Sequence, residues 1–149
     1  MNIEQLIRDY IPQVVHMSLA TSKDNIPWIS EVHFACDEEL NIYFRSLITR
    51  RHSQEIALNP FVAGNIIKHH EVGQSVRGVY FEGKAELLES EEDLVNANTV
   101  LQEKLNPTVD FLEDAKNGGH QFYKITVNTF YLFDSIESKP SQKYELPWH

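Results

Sequence analysis

A cluster of cationic and hydroxyl side chains is the part of this sequence whose residue types could do chemistry. Three of the 13 lysine and arginine residues, Arg45, Arg50 and Arg51, fall within seven positions, and Ser46 and Thr49 lie between them. Guanidinium groups, hydroxyls and the backbone amides at a helix N-terminus together suit a phosphate dianion. Since the formal net charge is -9, the cluster predicts a local anion site in an otherwise acidic chain.

The spacing leaves an ordinary alternative open. Arginines at the start of a helix are often solvated or paired with a nearby acid, and Glu55 is close enough along the chain to be that acid. Residue types and spacing do not choose between a ligand site and a surface ion pair.

Histidines offer a second kind of chemistry, because an imidazole titrates near neutral pH. His33 lies on a predicted strand and could exchange a proton there, although a satisfied or solvent-facing strand histidine is the more common case. His52 follows the cationic cluster and is either a further contact for the anion or a helix surface residue. His69 and His70 are adjacent in a predicted loop, where neighbouring side chains point apart. We therefore expect no metal site.

Length and composition predict one domain spanning residues 1–149, with enough chain to bury a substantial core. The acidic balance argues against a nucleic-acid partner, which requires a basic face. The single cysteine, Cys36, excludes an intramolecular disulfide. No apolar run is long enough to span a bilayer, and the N-terminus lacks the features of a signal peptide. We expect a cytoplasmic protein.

Period-2 alternation and turn residues indicate a mainly β fold with inserted helices. Predicted strands span 14–22, 27–36, 41–46, 61–67, 76–88, 121–127 and 129–134. Predicted helices span 3–11, 53–58 and about 90–105, with loops at 68–75 and 108–119 and little periodicity in 136–149. Gly78 and Gly83 inside one strand suggest a bulge or bend. Short strands with such bends favour a small antiparallel barrel of six or seven strands.

An ordered set of motifs resembles the FMN-binding split β-barrels similar to pyridoxamine 5'-phosphate oxidase. Each motif is weak alone, and their order along residues 14–88 carries the resemblance. They are Leu19-Ala20-Thr21, Pro27, Phe34, Asp37, Ile42-Tyr43-Phe44, Thr49-Arg50-Arg51, Asn59-Pro60 and Val76-Arg77-Gly78-Val79 through Gly83. Arg51-His52 and residues 76–79 look closest to a small, poorly characterised bacterial branch of that family.

The resemblance implies FMN as the cofactor and assigns positions to it. The FMN phosphate would meet Thr49, Arg50 and Arg51, with Ser46 and Arg45 beside them. The ring would lie along the strand containing Ser30, Glu31 and Val32. The family builds two equivalent sites across a homodimer interface, so the partner subunit would contribute residues near 76–80 or from the tail, where Trp148 is a candidate.

The resemblance also implies what the chemistry would be. Nothing in the chain supplies an obvious nucleophile, so catalysis would rest on the flavin, and we expect an FMN-dependent oxidoreductase acting on a small molecule. The tail contains no arginine, whereas the true oxidase holds its substrate with an arginine- and tryptophan-rich tail, which argues against a role in vitamin B6 synthesis. The alternative is a non-catalytic module that binds flavin or haem, or senses redox state.

Overall fold

A computed structural model describes residues 1–149 and has a mainly β architecture. The strands are β1 (His16–Lys23), β2 (Ile26–Cys36), β3 (Ile42–Ser46), β4 (Phe61–Ile66), β5 (Arg77–Leu87), β6 (Gln121–Asp134) and β7 (Gln142–Pro147). The helices are α1 (Ile3–Tyr10), α2 (Arg51–Leu58), α3 (Glu91–Leu105) and α4 (Phe111–Lys116), and a 3-10 turn at Ile11–Gln13 follows α1.

The seven strands form one antiparallel sheet that closes on itself. Neighbours run in the order β3–β2–β1–β4–β5–β6–β7, and β6 also pairs with β3. The first six strands therefore make a ring, and β7 adds an outer strand to β6. The predicted antiparallel split barrel of six or seven strands is confirmed.

Strand β6 closes the ring because it is long enough to serve three partners. One edge pairs with β5 along 123–134, while the other pairs with β3 along 121–125 and with β7 along 129–134. The prediction of two strands, 121–127 and 129–134, is wrong. Asn128 is the unpaired residue of a bulge within one continuous strand, so the polar position that looked like a break is only a local irregularity.

Gly83 lies on the β5 side of that bulge, where the register shifts between Glu82 and Gly83. A Cβ at Gly83 would run into the backbone carbonyl of Thr126. The absence of a side chain is therefore what lets β5 and β6 approach each other as the sheet curls, as the glycine spacing predicted.

The C-terminal tail contains β7 rather than the irregular chain expected from its sequence. Beyond β7 the indole Nε1 of Trp148 donates a hydrogen bond to the Glu39 carbonyl at 2.8 Å. The Trp148 ring also packs edge-on against Phe130, with centroids 6.0 Å apart, and lies 5.4 Å from the Arg8 guanidinium carbon. These contacts anchor the tail on its own barrel.

Buried apolar side chains form two cores. The larger core contains Phe34, Phe44 and Phe130 and gathers the inward-facing residues of the strands. The smaller core lies where α3 and α4 cover the other side of β2 and β3, and it contains Ala35 and Tyr43. Successive residues of these strands thus enter different cores, as the alternation of strand side chains requires.

The helices begin at identifiable caps. Ser90 caps α3 by accepting a hydrogen bond from the Asp93 amide. The segment 108–119 contains α4, which the sequence analysis wrongly predicted as loop. Asp110 caps it by accepting bonds from Leu112 and Glu113 amides, and so short a helix leaves little periodicity to detect. None of the four helices is both long and apolar enough to cross a membrane.

Candidate functional site

A cavity of about 620 Å³ lies between β2, the end of β3 and the pair of helices α3 and α4. This volume is in the range of small-molecule and cofactor sites. The strand side of its wall comprises Val15, Glu31, Val32, His33, Arg45, Ser46, Leu47, Arg50, His52 and His120. The helix side comprises Leu101, Lys104, Leu105, Pro107 and Phe111.

The charges around the cavity are mostly positive, although the whole chain has a formal net charge of -9. Arg45, Arg50 and Lys104 contribute cations, and Glu31 is the only carboxylate in the wall. Three imidazoles add hydrogen-bonding groups. The wall therefore has the composition of a site for an anionic ligand with an apolar part, since aliphatic side chains of α3 cover the other side.

His52 connects the two strands that carry most of the wall. Its Nδ1 lies 3.1 Å from the Ser30 hydroxyl and its Nε2 lies 2.7 Å from the Ser46 hydroxyl. Ser53 donates to the same Ser46 oxygen at 3.0 Å. Burial lowers the pKa of His52, and the nearby Arg50 charge lowers it further. The ring is thus neutral at pH 7, with one nitrogen donating and the other accepting, and it ties β2 to β3.

The two adjacent arginines of the cationic cluster have different surroundings. Arg51 Nε donates to Glu55 Oε2 at 2.9 Å, and the guanidinium lies over the Trp28 ring at 4.1 Å. Thr21 donates to the other Glu55 oxygen at 2.8 Å. Hydrogen bonds from Arg51 and Thr21 lower the pKa of the Glu55 carboxyl. Arg50, in contrast, faces the cavity and has no carboxylate partner.

Arg45 is a wall residue that already has a carboxylate. Its Nη2 donates to Asp114 Oδ2 at 2.6 Å, and its guanidinium lies 3.7 Å from the Phe111 ring centroid. Both contacts come from α4. Arg45 therefore holds α4 against the sheet, although its Nε is buried without a partner beside the cavity.

Lys104 is the functional candidate that the sequence analysis missed. Its Nζ is buried without a hydrogen-bond partner and lies 3.6 Å from the Phe34 ring centroid. Burial lowers the pKa of its amine to about 8, against a smaller opposing effect of Cys36. One sequence signal could have found it: Lys104 falls between Leu101 and Leu105 on the apolar side of a predicted helix, where a lysine is unexpected.

The structure brings most of the predicted site residues to one cavity. Five are in its wall: Glu31, Val32, Arg45, Ser46 and Arg50. Three border it without lining it: Ser30 behind His52, Thr49 in the exposed turn, and Arg51 beside Glu55. Trp148 packs on α1 and β6 instead. What these nine residues bind remains a prediction.

Comparisons with known proteins place the chain in a described family. The family profile named pyridoxamine 5'-phosphate oxidase matches residues 3–134. The UPF0306 protein plu4501 of Photorhabdus laumondii is 26% identical over 92 residues, which cover 61% of this chain. The alignment spans 64% of that relative, less than two thirds of its length.

Solved structures share the fold at low sequence identity. A FAD-binding protein from Mesorhizobium loti superposes with a TM-score of 0.70 at 17% identity, covering 87% of this chain and 90% of that one. The heme storage protein HutZ from Vibrio cholerae superposes with a TM-score of 0.71 at 19% identity, covering 85% and 91%. At these identities the likeness concerns the fold alone.

Proposed function

Because this chain belongs to the pyridoxamine 5'-phosphate oxidase family, we propose that it is a flavoprotein and that the cavity binds FMN. Split barrels similar to this one include a FAD-binding protein and a heme storage protein, so the fold by itself does not choose the cofactor. The observation that carries the proposal is Arg50, an arginine with no carboxylate partner beside a hydroxyl-bearing turn in the wall of the cavity.

The turn between β3 and α2 suits the phosphate of FMN. Arg50 is the N-cap residue of α2, and its side chain makes no bond to the first turn, which leaves the first amides of the helix available to an anion. The Thr49 hydroxyl lies on the same turn, and Ser46 ends β3 beside it with its hydroxyl hydrogen-bonded to His52 and Ser53. Arg51 would also bind the phosphate if its guanidinium released Glu55.

The remainder of the wall suits the ring system. Val32, Leu101 and Leu105 provide apolar surface, while the exposed backbone groups of β2 can hydrogen-bond a ring edge. FMN, when bound, supplies hydride and single-electron transfer. Of the protein's own groups, His33 is placed to hold a proton. Burial lowers the pKa of His33, with a further contribution from His16, so the imidazole is neutral and can accept a proton at pH 7.

The complete proposal is an FMN-dependent oxidoreductase that acts on a small molecule in the cytoplasm. A haem-binding role is the second candidate, and a specific observation favours it. His33 and His120 both lie in the cavity wall, and a histidine nitrogen is a common axial ligand of haem iron.

Titration of the purified full chain with FMN tests the proposal, with haem as a parallel ligand. We expect FMN fluorescence to be quenched up to one equivalent per chain, with little change in the haem spectrum. Tight haem binding without flavin binding would favour the haem-binding role over the FMN-dependent oxidoreductase. No response to FMN would refute the flavoprotein proposal. If the protein binds FMN but neither NADH nor NADPH reduces it, the protein is a flavin-binding module and not an oxidoreductase that uses these donors.

We also propose that two copies of the chain associate, as the family resemblance implies. The first residues of β2, Ile26–Ile29, are exposed on both faces of the strand, although three of the four are large apolar residues. Ile26 is 60% exposed and Ile29 is 62% exposed, and Phe61 on β4 is 60% exposed. Apolar surface that is clustered in this way favours a protein interface.

The substitution Ile29→Glu should shift the chain from dimer to monomer in light scattering after size exclusion. Val95→Glu is the matched control, since Val95 is an exposed valine on α3 and should leave the mass unchanged. A wild-type chain that elutes as a monomer at high concentration would contradict the dimer proposal without affecting the flavin proposal.

A further inference from the structure

Two histidines face each other across the β1–β2 hairpin at the edge of the cavity. His16 on β1 is the register partner of His33 on β2. The Phe34 amide donates to the Val15 carbonyl at 3.2 Å, so residues 15 and 34 form a hydrogen-bonded pair and the next pair, 16 and 33, is a non-hydrogen-bonded one. Side chains of such a pair are the closest that an antiparallel ladder provides.

The two imidazoles have the separation that a shared metal ion requires. Their ring centroids are 4.3 Å apart with the planes tilted by 44°. Two imidazoles bound to one metal, each with a nitrogen about 2.1 Å from it, would have centroids about 4.5 Å apart at an angle of about 90° and about 5 Å apart at the tetrahedral angle. Small side-chain rotations are therefore enough to direct one nitrogen of each ring at a common point.

Nothing in the protein competes for these nitrogens. Neither ring takes part in a side-chain hydrogen bond or an ion pair, whereas His52, His69, His70 and His120 each contact a protein group. Both residues are exposed, so an ion can reach them. Neutral imidazole is a preferred ligand of Zn²⁺, Cu²⁺ and Ni²⁺.

One carboxylate lies close to the histidine pair along β2. Glu31 lies two residues from His33 on the same face of β2 and accepts a hydrogen bond from Ser18 on the neighbouring strand. Its carboxylate adds negative charge near the pair without joining it, since no group of three or more His, Cys, Asp or Glu is placed to hold a metal. Water would complete the coordination.

We propose that His16 and His33 form a two-histidine binding site for a divalent transition metal of the Zn²⁺, Cu²⁺ and Ni²⁺ class at the edge of the cavity. The site shares His33 with the proton role proposed above, but His16 takes no part in the proposed FMN contacts. His16→Gln therefore tests the metal site without altering a residue of the flavin proposal.

Isothermal titration of the purified full chain with ZnCl₂ tests the site, using wild type, His16→Gln and His33→Gln. We expect one ion per chain in the wild type. Each single substitution should weaken binding by about tenfold or more, because it removes the gain from a linked second ligand. The double variant His69→Gln/His70→Gln is the matched control, since it also removes two exposed histidines, and it should bind as the wild type does.

Electron paramagnetic resonance with one equivalent of Cu²⁺ gives an independent readout. We expect two coupled nitrogens in the wild type and one in each single variant. Equal affinity in wild type and His16→Gln, or a loss confined to the His69/His70 control, would overturn the proposal. Thermal unfolding of the variants checks that the fold is retained, as expected for exposed side chains.

Discussion

Asp134 and Lys104 are buried charged groups whose surroundings differ in the number of partners. The Asp134 carboxylate accepts four hydrogen bonds, from Arg77 Nε at 3.0 Å and from the amides of Ile136, Glu137 and Ser138 at 3.0–3.2 Å. The Lys104 ammonium nitrogen has no hydrogen-bond partner and lies over the face of Phe34.

The pKa values of both groups are lowered, which favours the charged form of Asp134 and disfavours the charged form of Lys104. Burial acts to raise the pKa of the Asp134 carboxyl, but its hydrogen bonds outweigh burial and lower the pKa. Burial lowers the pKa of the Lys104 amine to about 8, and the smaller opposing effect of Cys36 does not offset it. Asp134 is thus stabilised as an ion by the fold, while Lys104 is held as an ion at a cost to folding.

The difference separates charges that stabilise the fold from charges available to a ligand. Arg51 resembles Asp134, because Glu55 and Trp28 already occupy its guanidinium. Arg50 resembles Lys104, because it borders the cavity without a carboxylate. Buried polar groups are normally satisfied, so the buried Lys104 amine without a partner is a feature to explain by binding. The exposed Arg50 guanidinium borders the same cavity and is free to take part.

The largest effect on stability should come from removing the Asp134 carboxylate, whose four hydrogen bonds are all made within the protein. Asp134→Ala leaves Arg77 and three backbone amides without an acceptor, and breaking a buried pair of this kind costs about 3–5 kcal/mol of the free energy of unfolding. Urea unfolding at pH 7 measures the loss. Glu137→Gln is the control, because this exposed residue lies 3.5 Å from the same arginine and should change stability by less than about 0.5 kcal/mol.

The pH dependence of that loss has a defined sign. A folded-state pKa below the ordinary value of 3.8 means that the stabilisation by Asp134 is complete above that pH and disappears as pH falls through the folded-state pKa. The gap between wild type and Asp134→Ala should therefore narrow below about pH 4. A gap that stays constant in acid would show that the carboxylate charge is not what stabilises this end of β6.

An intermediate effect is expected at the phosphate end of the cavity. Arg50→Ala should weaken FMN binding by about 1.5–3 kcal/mol, the range for a hydrogen bond to a charged group. Fluorescence quenching measures the affinity. Arg51→Ala is the comparison variant, and a smaller loss there would confirm that the Glu55 pair keeps Arg51 from the ligand. An equal loss would show that Arg51 exchanges Glu55 for the phosphate.

The smallest effect is expected from the unpaired cation. Lys104→Met should raise the free energy of unfolding at pH 7 by about 1 kcal/mol, less than the pKa shift alone implies, because the side chain keeps some contact with solvent. Burial lowers the pKa of the amine from its ordinary value of 10.5 to about 8 in the folded protein. Its unfavourable contribution is complete below pH 8 and is relieved as pH rises towards 10.5, so the gain should shrink over that interval.

Lys84→Met provides the reference for the Lys104 measurement, since Lys84 is an exposed lysine over an aromatic ring. It should change stability by less than about 0.5 kcal/mol. If Lys104→Met were less stable than the wild type, the Lys104 ammonium would have a favourable partner. It would then stabilise the fold, as Asp134 does.

Much of the barrel was predictable because strand alternation is a local property. The parity of Ile42 and Phe44 against Tyr43 indicated a strand with two different faces, and Gly83 indicated the bulge that the register of β5 and β6 confirms. The errors fell where local signals mislead. Asn128 looked like a turn but is the extra residue of a bulge, and α4 is too short to show a period.

Half of the candidate site was predictable for the same reason. The turn after β3 carries its cations and hydroxyls within a few residues, so Arg45, Ser46 and Arg50 were identified as a cluster before any contact was known. Lys104 was not identified, because its place opposite that turn depends on α3 folding back across the sheet. His16 was missed likewise, since only the β1–β2 register brings it to His33.

The sequence by itself determined that the chain forms a curled antiparallel sheet and that a cationic turn ends one of its strands. Both follow from side chains a few residues apart, which interact whatever the remaining chain does. Only the tertiary structure decided which cations are paired and which border the cavity. Arg50 and Arg51 are adjacent and look alike in the sequence, but residues distant along the chain give them different surroundings. Thr21 and Trp28 help to hold Arg51 in its ion pair with Glu55. Arg50 borders the cavity instead.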